Sequence, residues 1–428
     1  MKYIVSILVS SLASLLANRG VAVFNDGLRP IFPEYLEGRL DRKSLFATSF
    51  ALSFGLVIGY GIPFSLTSSI ILIHSILLGT DIIGVMFKPD KKGAVFAIIF
   101  GGIYGLLITL GLNNVISLFE KLPVNFLPSL SKVGSPIVTA FAVFPALVIG
   151  YQYSFKKGIL SFFIIVLVRQ VIQIYGKFSI NNSNVILNPD GMALLIGMSI
   201  MLVFAIKDKR YSENVNSNQM LLNIFSERIK RIKKNMLILA LMGGLIASAV
   251  SLGLIAGDPI SLNLLSEKKI SEAGFVALAR TLGFIPLIAT TAIATGVYAP
   301  TGMTFVFVLG IFIKNPFISF VAGFIIIILE IMALESIAKL FDRFPGIRAC
   351  GDQVRTCMSK VLELALIGGS LLAAGEMASG IGYIFVIGLY TLNKTSKKPF
   401  MDIAMGPIAA IILGILINIL YVLKLYLV

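Results

Sequence analysis

Two stretches of this chain set charged and hydroxyl-bearing residues inside apolar surroundings, and they define the chemistry it could carry. The first runs Asn18-Arg19-Gly20-Val21-Ala22-Val23-Phe24-Asn25-Asp26-Gly27-Leu28-Arg29-Pro30. Asp26 and Arg29 are spaced to pair on a helical turn, whereas Gly27 and Pro30 point to a broken element. In a broken element Arg29 could meet an anionic group of a solute, Asn25 could hydrogen-bond it, and Asp26 could hold a coupling cation. The competing reading is a topogenic loop closed by its own ion pair.

The second stretch, Ala279 to Gly296, reads ARTLGFIPLIATTAIATG. An arginine within a bilayer is costly unless it faces a cavity or a partner, and the threonines, glycines and Pro286 add hydroxyls and freed backbone groups. Arg280, Thr281, Thr290 and Thr291 therefore form the preferred substrate-binding element. The alternative has Arg280 snorkelling at the membrane boundary and the small residues packing helices. Residues 134–145, GSPIVTAFAVFP, read as a first-half counterpart with Ser135, Pro136 and Thr139 as solute contacts, or as helix packing alone.

Other charges interrupt apolar runs at Asp81, Arg169, Glu330, Glu335, Asp352, Arg355, Glu363 and Glu376. Glu330 and Glu376 lie deepest in their runs. A carboxylate there could exchange a proton or hold Na⁺, so the coupling candidates are Asp26 and Glu330, with H⁺ or Na⁺ as the ion. His74, the only histidine, sits among isoleucines and a leucine and reads as a packing residue rather than a proton relay. Cys350 and Cys357 lack the spacing of a zinc site or a CxxC redox pair.

What must position these residues is a membrane. The 428 residues are 57% hydrophobic and 13% charged, with a mean hydropathy of +0.94, which excludes a soluble globular domain. Each crossing needs about 20 apolar residues as a helix, and alternating ten-residue strands are absent, so the expected class is an all-α polytopic membrane protein. The N-terminal run ends in Asn18-Arg19-Gly20 rather than in small cleavage-site residues and predicts a retained first helix. The formal charge of +15 sits in short loops between apolar runs, where the positive-inside bias and anionic lipids account for it without nucleic acid.

Apolar segments number about fourteen, divided evenly by one polar stretch. The divisions are a first membrane half, 1–206, a linker, 207–235, and a second half, 236–428. The linker's basic amphipathic pattern predicts a helix lying on an anionic lipid surface on the cytoplasmic side. An odd number of crossings in each half would make them inverted-topology repeats. Segments 134–151, 274–298 and 379–392, interrupted by Gly or Pro, are expected as re-entrant hairpins or broken helices, giving about 10–14 spanning or re-entrant segments.

The chain carries no Walker A loop, HExxH, GxSxG or Cys/His cluster, so ATP hydrolysis and common hydrolytic chemistry lack their residues; neither a cofactor, a resident metal nor catalytic residues are expected. The run LLANRGVAVFNDGLRPIFPEYLEG, with SPIVTAFAVFP, LGFIPLIATTAIATGVYA and the loop FPGIRACGDQVR, resembles the YhfT family of bacterial inner-membrane proteins over nearly the whole chain. That resemblance implies transport of a small metabolite. At the level of fold the chain is more distantly similar to the ascorbate and galactitol membrane components of the phosphotransferase system, which implies a homodimeric elevator. The expected function is a secondary transporter of a small polar solute, anionic or zwitterionic, in the inner membrane, with solute and membrane lipids as partners. The alternatives are a membrane-embedded enzyme or lipid-handling protein acting on a lipid-linked substrate, and a non-transporting subunit that docks partners through 207–235.

Overall fold

The computed structural model describes residues 1–133, 135–180, 183–186, 189–208, 218–343, 345–397 and 402–426. The first half begins with α1 (Lys2–Asn18) and, past a 3-10 turn (Arg29–Ile31), α2 (Phe32–Leu36) and α3 (Arg42–Leu56). A π-helical turn (Val57–Gly61) leads to α4 (Ile62–Ser68), β1 (Ile71–Leu72), α5 (Ile73–Met86) and α6 (Lys91–Glu120). After α7 (Leu127–Ser131) come α8 (Ser135–Gln152), α9 (Phe155–Tyr175), a hairpin of β2 (Lys177–Ile180) and β3 (Ser183–Ile186), and α10 (Pro189–Lys207). Past α11 (Asn218–Lys234), the second half runs α12 (Met236–Ser251), β4 (Ile255–Ala256), α13 (Pro259–Ser266), α14 (Ile270–Thr295), α15 (Phe305–Phe312) and α16 (Pro316–Arg343). It closes with α17 (Pro345–Met377), α18 (Ile381–Thr395) and α19 (Asp402–Val422).

The packing of α1 on α6 has a counterpart in the second half. In α1, Ser6, Ser10 and Ser14 share a face at helical spacing and are fully buried. They sit on Gly101 and Gly105 of α6, and the Ser6 hydroxyl donates to the Gly105 carbonyl at 2.9 Å. The counterpart pair, α12 and α16, meets through Gly243 and Gly323, where a Cβ on either would fall 2.6–2.8 Å from the other's carbonyl oxygen. Small residues that let backbones approach are how membrane helices associate when lipid is as apolar as leucine. Both α5 and α15 fill the space beside these pairs.

Packing sorts the helices across the halves. One body holds α1, α5, α6, α12, α15 and α16; the other holds α8, α9, α10, α17, α18 and α19, with α8 against α17. Between them run α14, which touches α10 and α17, and the π turn, which touches α19.

The ends of the helices are ordered by α11. Its Arg231 donates to the Gly20 carbonyl just past α1 at 2.9 Å, its Lys233 pairs with Glu335 late in α16 at 2.7 Å, and α12 starts where it stops. Asn18 joins the same end, donating to the carbonyls of Gly84, Phe87 and Lys88 where α5 ends. At the opposite end, the Ser251 hydroxyl closing α12 donates to the Ile313 carbonyl closing α15 at 2.6 Å. So α1 ends, and α6 begins, at the end of the molecule where α12 begins and α16 finishes. Ile229 and Ile232 of α11 are buried, in a helix that packs on α14 and α16; residues 209–217 lie outside the described residues.

Among the described residues five helices are long and apolar enough to cross a bilayer: α6, α9, α10, Pro316–Lys339 of α16 and Met405–Val422 of α19. The count is seven if each of two bent pairs is one span: the end of α11 with α12, bent by 64°, and the two parts of α14, bent by 50°. This is fewer than the 10–14 segments expected; α1, α5 and the apolar part of α8 are apolar helices of 10–17 residues. The helices are those of a multi-pass membrane protein, and α9 displays Leu160, Phe163 and Leu167, each more than 60% exposed, as a lipid-facing surface requires.

The irregular backbone lies only partly where expected, in the bend of α14. Segments 134–151 and 379–392 are not hairpins but single helices, α8 and α18, and 274–298 is the bent α14. Pro145 is carried inside α8 because its ring packs into the space left by Gly197 of α10. The stretch 345–355, expected as loop, is the first part of α17, where Gly346 seats against the Ala205 carbonyl and accepts from Gln152. The chain is unwound instead just after α1, before α5, after α12 and before α15. Asp41 caps α3, and its hydrogen bonds with Ser44 hold its carboxyl below the usual range.

Candidate functional site

The unwound segments meet. Past α1, Gly20 turns at φ +62° and the chain extends, so that Ala22 bridges Tyr298 in parallel. Val23 donates to the Tyr298 carbonyl at 2.9 Å, and Tyr298 to that of Val21 at 3.0 Å. Past α12, Gly253 turns at φ +61°, and β4 pairs in parallel with β1, Ile71 donating to the Leu254 carbonyl at 2.9 Å. Each half therefore lends its post-helix segment to the other half's pre-helix segment. The exchange satisfies backbone groups that buried irregular chain would otherwise leave unpaired.

Aligning the two glycines aligns Asn25 with Asp258, and the two residues have parallel work. Asn25 Oδ1 accepts from the Gly27 amide at 2.9 Å, and Asp258 Oδ1 from the Ser261 amide at 2.8 Å. Each also reaches the following broken helix. The Asn25 amide group donates to the Leu52 carbonyl at 3.1 Å and to the Ser53 hydroxyl at 3.0 Å. Asp258 Oδ2 faces Arg280 Nε at 3.8 Å.

Around the first crossing, Asp81 of α5 is fully buried and accepts the amides of Phe24 and Asn25 at 3.0 and 2.8 Å. Asp26 and Arg29 do form an ion pair, with Arg29 only 1% exposed and Asp26 open at 32%. Across the crossing, Glu330 Oε2 accepts from the Tyr298 hydroxyl at 2.9 Å and from the Met303 amide at 2.8 Å. Glycine is required at 302, where φ is +55° and a Cβ would fall 2.2 Å from Glu330 Oε2. Arg29 lies within electrostatic reach of both Asp81 and Tyr298.

Around the second crossing, Arg280 donates through Nη1 to the Gly257 carbonyl at 2.7 Å, and its guanidinium stands 5.5 and 5.3 Å from the rings of Phe284 and Phe307. The Thr281 hydroxyl shares a 2.8 Å hydrogen bond with that of Thr304 before α15. Arg280 is thus a buried, partnered arginine rather than a snorkelling one.

The other residues singled out from sequence divide. Thr291 donates to the Leu287 carbonyl of its own helix at 2.7 Å, Pro136 is half-buried at the start of α8, and the side chains of Ser135, Thr139 and Thr290 lie outside the described residues. Glu376 is exposed near the end of α17, so Glu330 alone of that pair is deep. Glu363 binds Lys394 at 3.1 Å and Arg169 binds Asp190 at 2.8 Å, both away from the crossings. The sequence reading missed Asp258, Tyr298 and Tyr60, named Asp81 only among the charges that interrupt apolar runs, and read His74 as a packing residue. An N-cap signature, Asp258-Pro259 with Ser261 following, was the available sign for Asp258.

At the crossings Asp26, Asp81, Asp258 and Glu330 stand against Arg29 and Arg280. Desolvated carboxylates need a partner, so the excess acid here is chemistry suited to a proton or a cation. Among the described residues no group of His, Cys, Asp and Glu is arranged to hold a metal ion.

The sequence model of YhfT, described as a protein of unknown function, matches residues 2–426. Over 431 residues, 98% of this chain and 96% of the relative, the chain is 36% identical to an uncharacterized protein, YhfT, of Escherichia coli (strain K12). No solved structure matches.

Proposed function

The chain belongs to the YhfT family, and since that family has no assigned activity we propose a function from the chain's own geometry. It is a secondary transporter, working without ATP, that moves a small polar solute, anionic or zwitterionic, across the bacterial cytoplasmic membrane. One observation carries this reading: two halves trade extended segments around buried charged side chains. Irregular backbone and ionisable groups at such depth are tolerated where they serve a solute or ion path. The opposite run of α1 and α12 relative to α11 supports an inverted-topology pair, the architecture in which a site between repeats is exposed alternately to each side.

The grouping of helices into two bodies, each drawn from both halves, supports an elevator in which the body holding the crossings slides against the other within a homodimer. Arg280 and Arg29 offset the solute's negative group, while Glu330, with Asp26 at the open side, takes up the coupling H⁺ or Na⁺. The test is a thermal-shift screen of the purified protein against sugars, sugar acids, amino acids and nucleosides, followed by uptake of any hit into proteoliposomes. A stabilising solute that accumulates under an ion gradient is the expected result. Stabilisation by one lipid and by none of the solutes would favour an enzyme acting on a lipid-linked substrate.

A further inference from the structure

We propose that Tyr60, His74 and Arg280 together hold one end of the solute, and that this end is a carboxylate with a hydroxyl on the adjacent carbon. The inference rests on the transport reading and gives its solute a chemical class. Three polar atoms carry it: the Tyr60 hydroxyl, His74 Nδ1 and Arg280 Nε are each shut off from solvent with no hydrogen-bond partner among the described residues. Such atoms are rare in folded proteins, and three in one neighbourhood call for a ligand.

The neighbourhood is shared. The His74 ring stands edge-on to Tyr60, with centroids 5.0 Å apart, and edge-on to Phe24 at the same separation. Tyr60 and His74 both lie within electrostatic reach of Arg280, and Tyr60 of Asp258 as well. Tyr60 is set there by the π-helical turn, an irregularity that recurs at functional sites because it re-aims a side chain without ending the helix. Phe24, Asp26 and His74 keep partial exposure beside it.

The chemistry of these atoms selects the ligand. Asp258 offsets the charge of Arg280, but at 3.8 Å it is too far to occupy Nε–H, and its two oxygens already accept from the Ser261 amide and hydroxyl. Nε–H therefore remains available, and the Tyr60 hydroxyl is a second donor; a carboxylate takes both. His74 Nδ1 can give or take a hydrogen bond according to tautomer, which suits a hydroxyl that does the same. The rings of Phe284 and Phe307 flank the guanidinium and keep water from competing.

The experiment titrates the purified full chain with glycerate, propionate and glycerol, reading melting temperature and calorimetric affinity. Glycerate should bind, propionate about tenfold more weakly, and glycerol not at all. Tyr60→Phe should weaken both acids by about tenfold. His74→Gln should bring glycerate down to the propionate level and leave propionate unchanged, a selectivity that a packing defect would not produce. Equal glycerate affinity in wild type and both variants would overturn the assignment, as would silence toward both acids. If another anionic or zwitterionic solute binds and is transported while both acids are silent, this inference falls and the transport reading stands.

Discussion

The two crossings occupy equivalent places and are filled differently. After α1, Asn25 reaches Ser53 through neutral hydrogen bonds; after α12, Asp258 reaches Arg280 across 3.8 Å as an ion pair lacking a hydrogen bond on Nε. The Asn25 contact is geometrically complete, its side chain donating twice and accepting once. The Asp258–Arg280 contact keeps Nε–H unused. One position of the repeat is thus a neutral joint in one copy and a charged contact in the other, with buried charge beside both.

The comparison depends first on the two halves being opposed. In a chain carrying Cys350→Ser and Cys357→Ser, single cysteines at Lys88 and Lys314, both exposed beside equivalent helix ends, should be labelled by an impermeant thiol reagent from opposite faces of the membrane. Labelling from the same face would break the comparison outright.

The next largest effect is on stability. Arg280→Met leaves Asp258 buried without its counter-charge and should cost about 3–5 kcal/mol in denaturant titration, whereas Ser53→Ala removes one neutral hydrogen bond and should cost about 1 kcal/mol. Adding Asp258→Asn to Arg280→Met should recover part of the loss; an Arg280→Met cost no larger than that of Ser53→Ala would erase the distinction between the crossings.

Glu330→Gln keeps an acceptor for Tyr298 and Met303 and should shift stability by about 1 kcal/mol or less while removing the ion dependence of uptake. Persistence of that dependence would move the coupling role elsewhere. The smallest effect is at Asp41, an exposed helix cap. Its carboxyl is held below the usual range, so it contributes above the unfolded-chain value and the contribution fades as pH falls through the folded one. Asp41→Ala should lower the melting temperature slightly at neutral pH, and the gap should close on acidification.

Much of the membrane class and part of the site could be read from the residues. Asn25, Arg29, Arg280 and Glu330 stood out because each interrupts an apolar run, and all four line the crossings. Asp258, Tyr298 and Tyr60 did not, and His74 read as packing, since what gives them meaning is a partner from the other half or from a distant turn. Proline was an uneven guide: Pro145 sits inside a helix against Gly197, Pro286 lies at the bend of α14, and further breaks follow Gly20 and Gly253, whose positive φ ends a helix without any proline. Segment counts ran high because short apolar helices such as α5 and α15 look like spans until their partners are known.

The reciprocal exchange also constrains how this protein is made. While the first half is being inserted, the Ile71 and Val23 amides lack the carbonyls they meet in the fold, because Leu254 and Tyr298 have not yet left the ribosome. Until they do, the first half must wait with open backbone at membrane depth. Contacts so distant in sequence come late in folding. Separately synthesised halves should therefore be poor substrates for assembly, and the nascent first half should be the stage most exposed to membrane quality control.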